Sequence, residues 1–558
     1  MVCESICEIT DSRVGAYPHT LKSGLRPPAG AYPHTKISVT QSYPDTHLFE
    51  ILAFPTSDLI VSSRVAAMVT RAMLLLVSSA ALALLVWNAA QQPKVDIVLP
   101  SSSGVCSAAA ISFSAVDLPA HSTHDNQPRR MEHLGAMYAD LRSKHASLLR
   151  RLYIVELGTA RSTIPTQMRK SEHLLKVHTT SVTCTDRMRA FTNAGLEAQG
   201  RDARAFEDQV TVGISSRFLP GESLAFNRVR AQRFGGDGDT NSSGASLRKD
   251  PEDLVEELRS LPCQLPTASD FCAPMERTMA DARVGYLSND DAVGFANMGR
   301  LTAHHGVVAT RHFVNPLRLG RADVVAMFTL THEWFLRTSA EYPTDAQFPS
   351  VTFDLLHSGG ASQTHPHMQP HLAASRYPGK WEAMRLAACD YADRRARSLF
   401  MDVALVHAHL GLVIRRTDHF VAFVALTSVS AGIQIDIMGD ARVSNGKRGA
   451  ANLNRELGGI FYDVLAAAQL SLGWEGSSAS CVFPPMDPFV AKRASMPRLC
   501  RLVSRGLYSA TVSDVSSNEL FETPAVSTDL FVAAASLRVL LQSGSFEGHD
   551  GPQILRAA

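Results

Sequence analysis

Residues 356–372 read LHSGGASQTHPHMQPHL, and His357, His365, His367 and His371 all fall within them. On an extended strand, residues two apart share a face. His365, His367 and Gln369 are therefore predicted to project together, with His371 following on the same side. Pro366 and Pro370 cannot donate ladder hydrogen bonds, so the segment is expected at an edge strand or a strand end. Just upstream, Gly359-Gly360-Ala361-Ser362 lets the backbone approach a ligand closely, and its N–H groups are placed to hold a phosphate oxygen. A neutral imidazole attacks phosphorus and splits one hard transfer into two easier ones. The neighbouring histidine would orient it or hold a metal, and a glutamine amide would donate to the transferring phosphate where charge develops. Three other readings compete. A metal hydrolase also uses His-x-His but wants a carboxylate soon after, and position 369 is Gln. A cupin-like metal site wants a Glu, and none precedes Glu382. The third is a purely structural His-rich loop.

Around this stretch the texture alternates between strands and helices. Residues 306–314 and 350–356 read as strands, and 322–338 and 381–400 as helices. Residues 411–416, 419–426 and 433–438 are three further strands, the first two joined at Thr417-Asp418 as a hairpin. Residues 451–470 form an amphipathic helix with Leu453, Leu457, Ile460, Phe461, Val464, Leu465 and Ala468 on one stripe. Residues 528–541 form a closing helix. Antiparallel strands with helices give an α+β fold.

The chain has 558 residues, with 54 Lys+Arg against 53 Asp+Glu, a net charge of +1. That balance excludes general nucleic-acid coating, and nucleic acid is not an expected partner. Nine cysteines are too sparse for a disulfide scaffold. Residues 1–63, rich in Pro, Ser, Tyr and His, carry GAYPHT twice and read as a disordered extension. Residues 72–87 (AMLLLVSSAALALLVW) carry no charge and follow Arg64 and Arg71. The run is short for a comfortable bilayer span and fits a secretory signal or signal-anchor over 64–90. It directs the chain to the secretory pathway or an organelle, with the membrane as partner through 72–87 if uncleaved and a soluble catalytic region. Residues 91–260 are a variable region with a helix predicted over 131–156 and a Gly/Asp/Ser linker at 234–246.

Ser362-Gln363-Thr364-His365-Pro366-His367-Met368-Gln369 resembles the histidine-triad superfamily, in its galactose-1-phosphate uridylyltransferase branch. That branch carries His-Pro-His-x-Gln where the superfamily's hydrolases carry a third His. The Gly-x-Ser segment and Phe353-Asp354 match in spacing. The likeness implies two histidine-triad-like halves, 261–385 with the catalytic motif and 386–545, before a tail at 546–558. It implies His367 as the nucleophile, Gln369 and Ser362 as phosphate contacts beside Gly359 and Gly360, and His365 as a metal or orienting ligand. Asp354 stands where the family has a phosphate-binding Asn. A carboxylate there repels phosphate unless it is protonated or faces a metal.

The family's structural zinc would fall on Cys272, His312 and His365, with Ser269 in place of a ligand cysteine, so the site is incomplete. No second metal is expected, because no His-x-His precedes Phe483-Pro484-Pro485. Arg498, Arg501 and Arg505 are candidates for a phosphate fork. The resemblance implies a transferase that exchanges a UDP-sugar with a sugar 1-phosphate through a nucleotidyl-histidine, in a chain expected to pair as a homodimer. The alternatives are a nucleoside-diphosphate-sugar or dinucleotide phosphorylase of the same superfamily, and a catalytically silent, membrane-tethered nucleotide binder.

Overall fold

The computed structural model describes residues 129–131, 134, 137, 143–159, 176–179, 210–219, 221–228, 270–439, 447–488, 496–506, 519–520 and 522–543. The chain divides into two units, Met1–Val98 and Leu99–Ala558, and every described residue lies in the second. The extension at 1–63, the targeting segment at 64–90, the linker at 234–246 and the tail at 546–558 lie outside the described residues. Among the described residues no helix is long and apolar enough to cross a membrane.

Helix α1 (Ser143–Leu152) runs straight into strand β1 (Tyr153–Thr159). The sequence reading expected helix through residue 156. Tyr153, Ile154 and Val155 are aromatic or β-branched, and they pair instead with Ser216, Ser215 and Ile214. Strands β2 (Lys176–Thr179), β3 (Thr211–Ser216) and β4 (Ser223–Asn227) follow. Next come β5 (Leu287–Ser288), β6 (Ala292–Ala296), β7 (His304–Thr310), helix α2 (Arg321–Glu341), β8 (Phe348–Leu355) and β9 (His367–Ala373). Helices α3 (Gly379–Arg395) and α4 (Leu399–Leu410) lead to β10 (Val413–Arg416), β11 (Phe420–Val424) and β12 (Gln434–Gly439). Helix α5 (Lys447–Leu472), β13 (Ser477–Val482), β14 (Leu499–Ser504), β15 (Ala525–Val526) and helix α6 (Leu530–Ser543) complete the unit. The single helix expected over 381–400 is broken because Ala396 is left-handed and Ser398 caps a new helix, its hydroxyl accepting from the Met401 N–H.

A small sheet takes the order β15-β4-β3-β1-β2, and a ten-stranded sheet takes β10-β11-β12-β14-β13-β8-β9-β7-β6-β5. Every pairing in the large sheet is antiparallel. Its order is symmetric about the β13–β8 seam. On each side three strands, one long helix and two strands are laid down in the same sequence, β5-β6-β7-α2-β8-β9 and β10-β11-β12-α5-β13-β14.

Strand β9 lies between β8 and β7, so the expectation of an edge strand fails. The sheet tolerates its prolines for local reasons. Pro366 precedes the strand, and its carbonyl accepts from the Thr310 N–H. Opposite Pro370 the β7 pairing skips Gly306 and Val307. The strand-end half of the expectation does hold for His367, the first residue of β9.

Alternation then decides which residues are core. Met368 and Leu372 are fully buried, and the Thr331 hydroxyl of α2 reaches the Met368 sulfur. Phe328 of α2 and Phe461 of α5 meet at 5.1 Å between ring centroids. Cys481 and Cys500 form a disulfide across β13 and β14.

The approach of α2 to α5 depends on Gly458, where a Cβ would lie 2.9 Å from the Val325 Cα. Gly458→Ala gains about 1 kcal/mol of helix propensity and loses about 1–3 kcal/mol to overpacking against backbone. The overpacking is expected to win, lowering the denaturant midpoint at unchanged slope. A midpoint at or above wild type would mean the helices are not this close.

Candidate active site

The site is built on the start of β9, where local chain geometry selects the tautomers. His365 is fully buried. Its Nε2–H donates to the Thr310 carbonyl at 2.8 Å, and its Nδ1 lies 3.8 Å from the Cys272 sulfur. Burial depresses this imidazole to about 4, so it is neutral at neutral pH. His367 is 5% exposed, with the Phe271 ring edge-on at 4.9 Å. Its Nδ1 is 2.8 Å from the His365 carbonyl oxygen. A carbonyl only accepts, so Nδ1 carries the proton and Nε2 keeps its lone pair. Burial also pulls the His367 pKa down, which keeps that lone pair free.

The neighbouring strands supply the rest of the row. The β8–β9 register ends with Phe353 opposite Met368, so Asp354 and His367 are the residues next along each strand. Ser478 of β13 pairs with Asp354 from the other side. Burial raises the Asp354 carboxyl to about 6, against the opposing pull of the Ser478 hydroxyl and the Arg505 charge. A carboxyl raised this far is not fully ionised at neutral pH, which removes part of the repulsion expected of an acid at this position. Gln369 shares the His367 face of β9, and its Oε1 accepts from Asn297 Nδ2 at 3.1 Å and from His305 Nε2 at 3.2 Å. His305 also stacks on His371 at 3.9 Å. Neither Asn297 nor His305 was singled out from the sequence. They lie on the β6–β7 hairpin, and only the strand register brings them to Gln369.

The glycine turn behaves differently from its sequence reading. The Gly359 N–H donates to the Leu356 carbonyl and the Gly360 N–H to the His357 carbonyl, so both are spent inside the turn. The close approach at Gly359 is to the second half of the sheet, since a Cβ there would overlap the Ser477 carbonyl oxygen. Gly360 is left-handed (φ 102°) and faces the Asp354 carboxyl. Leu356 is held at φ 62°, which a leucine rarely adopts, so the turn stores strain beside the site. Ser362 is exposed in the loop that leads to His365.

The zinc expectation can be tested on the donor set. Cys272 and His365 are neighbours, and His365 gives its other nitrogen to a carbonyl as a metal-binding histidine does. His312, however, is exposed, and no group of three His, Cys, Asp or Glu among the described residues is placed to hold a metal ion. Cys272 is also disulfide-bonded, which leaves no thiolate to offer. The described residues do not fit a structural zinc. The arginine fork is spoken for as well. Arg501 is bidentate to Glu222 and lies 3.5 Å from Asp436, while Arg505 pairs with Glu519 at 2.9 Å.

No family model and no curated protein matches the chain. Solved structures do. An ADP-glucose phosphorylase from Arabidopsis thaliana with bound ADP-glucose aligns at 13% identity over 58% of this chain and 97% of its own, with a TM-score of 0.42. A "galt-like" protein from Arabidopsis thaliana aligns at 15% identity over 49% of this chain and 92% of its own, with a TM-score of 0.39. A uridylyltransferase aligns at 16% identity over 50% of this chain and 92% of its own, with a TM-score of 0.38. At that level of likeness, activity has to be read from the site itself.

Asp354 can be tested without any activity assay. A carboxyl raised to about 6 in the fold contributes stability below its unfolded pKa that is lost as pH rises through 6. Asp354→Asn is therefore expected to gain on wild type by about 2 kcal/mol between pH 4 and pH 7. Denaturant titrations at the two pH values check this, and a constant difference between the proteins would mean the carboxyl is not raised.

Proposed function

We propose that the protein is a nucleotidyltransferase that moves a nucleoside monophosphate from a sugar nucleotide to a second phosphate-bearing acceptor by way of His367. The observation that carries this reading is the hydrogen bond from His367 Nδ1–H to the His365 carbonyl. It turns the Nε2 lone pair away from the backbone on an imidazole that burial keeps neutral. A merely structural histidine needs no such arrangement.

In the first step Nε2 attacks the α-phosphorus, an N–P bond forms, and the P–O bond to the departing sugar 1-phosphate breaks. The imidazole is now cationic, and its Nδ1–H still donates to the His365 carbonyl, which stabilises that charge. In the second step an oxygen of the acceptor attacks phosphorus and the N–P bond breaks, restoring neutral His367. The Gln369 amide donates to the phosphoryl oxygens, and Asp354 adds a second donor in the fraction of molecules in which its raised pKa keeps it protonated. His367 is 5% exposed, with the Phe271 ring 4.9 Å away, so a nucleotide reaches Nε2 only if neighbouring side chains move.

The donors to try are UDP-glucose, which the resemblance of the motif implies, and ADP-glucose, which the name of one structural neighbour carries. Incubation with either donor, labelled at the α-phosphate, is expected to leave an acid-labile, base-stable label on the wild type and none on His367→Ala. Turnover of the mutant should fall by at least about 1,000-fold. Release of the label by galactose 1-phosphate or by inorganic phosphate separates transferase from phosphorylase. Wild-type turnover in His367→Ala, or no adduct from either donor, would sink the reading.

A further inference from the structure

We propose that Asn297 and His305, both outside the His-Pro-His-Met-Gln motif, are positioning residues that lock the Gln369 amide with its NH2 group toward the transferred phosphoryl group. This rests on the reading of His367 as nucleophile.

An amide side chain can present either its oxygen or its nitrogen to a phosphate, and only the nitrogen is useful there. The choice at Gln369 is made by a chain of donors that begins at two backbone groups. The Gly299 N–H donates to Asn297 Oδ1 at 2.8 Å, which fixes the Asn297 amide with Nδ2 pointing away. That Nδ2 donates to Gln369 Oε1 at 3.1 Å. Independently, the Leu301 N–H donates to His305 Nδ1 at 3.1 Å, so the His305 proton sits on Nε2. Nε2–H is the second donor to Gln369 Oε1, at 3.2 Å. Asn297 Nδ2 and His305 Nε2 also lie 3.1 Å apart, but both carry hydrogen, so that approach follows from sharing one acceptor. With two donors converging on Oε1, the flipped amide would set N–H groups against N–H groups. Backbone hydrogens are not free to reassign, so the orientation does not depend on how any amide is drawn.

The hairpin that carries these donors is itself rigid. The Asn297 N–H donates to the His305 carbonyl at 2.9 Å, and β6 pairs with β7 along its whole length. His305 is buried, and burial lowers its pKa, so the neutral Nε2–H form persists. What the hairpin supplies is preorganisation: the donor is aimed before negative charge develops, and no reorientation accompanies the reaction.

Asparagine and aspartate at position 297 have nearly the same shape but opposite polarity, which gives the test. Labelled UDP-glucose or ADP-glucose, whichever labels His367, is the probe. Gln369→Ala is expected to lower kcat by about 100-fold, as for loss of one preorganised donor. Asn297→Ala should cost about 2- to 10-fold, as for one neutral hydrogen bond. Asn297→Asp presents an acceptor, flips the Gln369 amide, and should approach the Gln369→Ala loss with KM changed by no more than about 2-fold. In a Gln369→Ala background, Asn297→Asp should have no further effect, whereas simple repulsion of phosphate by the new carboxylate would persist there. His305→Phe keeps a ring on His371 and removes one donor. It should cost about 2- to 10-fold, again only when Gln369 is present, and it serves as the second variant if Asn297→Asp melts early. The proposal is overturned if Asn297→Asp is no worse than Asn297→Ala, or if either loss is undiminished in the Gln369→Ala background. A wild-type protein that never acquires label on His367 removes the nucleophile reading and this inference with it, an outcome distinct from labelling without coupling.

Discussion

The hydrogen bond from the His367 imidazole to the carbonyl two residues earlier is the contact from which the site's chemistry follows. It needs no partner outside the motif. Once His365 and His367 are held by the strand entry, the backbone itself supplies the acceptor, and the proton has only one nitrogen to occupy. The proline between them assists, because its missing N–H takes nothing from the ladder at the point where the strand begins. His365 is then free to turn its own Nε2–H onto the Thr310 carbonyl of β7, so the two imidazoles are anchored to the backbone in opposite directions.

This local device works only inside a sheet that buries it. Burial is what holds His365 and His367 neutral and what lifts Asp354 toward neutrality. The three groups are driven the same way, toward the uncharged form, by one cause. On the proposed reading, an anionic phosphate would meet an imidazole with a free lone pair and a carboxyl that is not fully ionised. The burial comes from the duplicated architecture. The glycine turn at 359–360 is pressed against the first residue of β13, so the first half of the large sheet is closed by the start of the second.

The two halves are alike in path but not in chemistry. Where β9 carries His367 and Gln369, β14 carries Leu499, Arg501 and Val503, and Arg501 is tied down by Glu222 and Asp436. Glu222 immediately precedes β4 of the small sheet, so this buried ion pair ties that sheet's β3–β4 turn to the second half. A buried arginine with two carboxylates is strongly costly to break by removing one partner. Its role is architectural, and it takes the arginine away from any ligand.

Much of the fold was legible along the chain. The hairpin at 413–424, the amphipathic stripe of α5 and the strands flanking the histidines all follow from hydrophobic periodicity, which is a property of neighbouring residues. His367 as candidate nucleophile came from the resemblance of its motif, whereas the carbonyl that fixes its tautomer became visible only in the fold. The failures share a cause. The helix expected to continue to 156 gave way to a strand once β3 was available to pair with it. The strand placed at an edge sits inside the sheet, because a partner can skip the rung opposite a proline. The glycine N–H groups read as phosphate donors are consumed by their own turn, while Asn297 and His305 carry no mark in the sequence.

Residue type and short spacing by themselves put His365, His367 and Gln369 on one face of one strand, because alternation along a strand is a local property. Which amide faces outward, which arginines are already paired and whether three ligands ever meet depend on groups brought together from tens to hundreds of residues apart. Only the register of a folded sheet settles contacts of that range, because a one-residue slip in pairing would send every side chain to the opposite face.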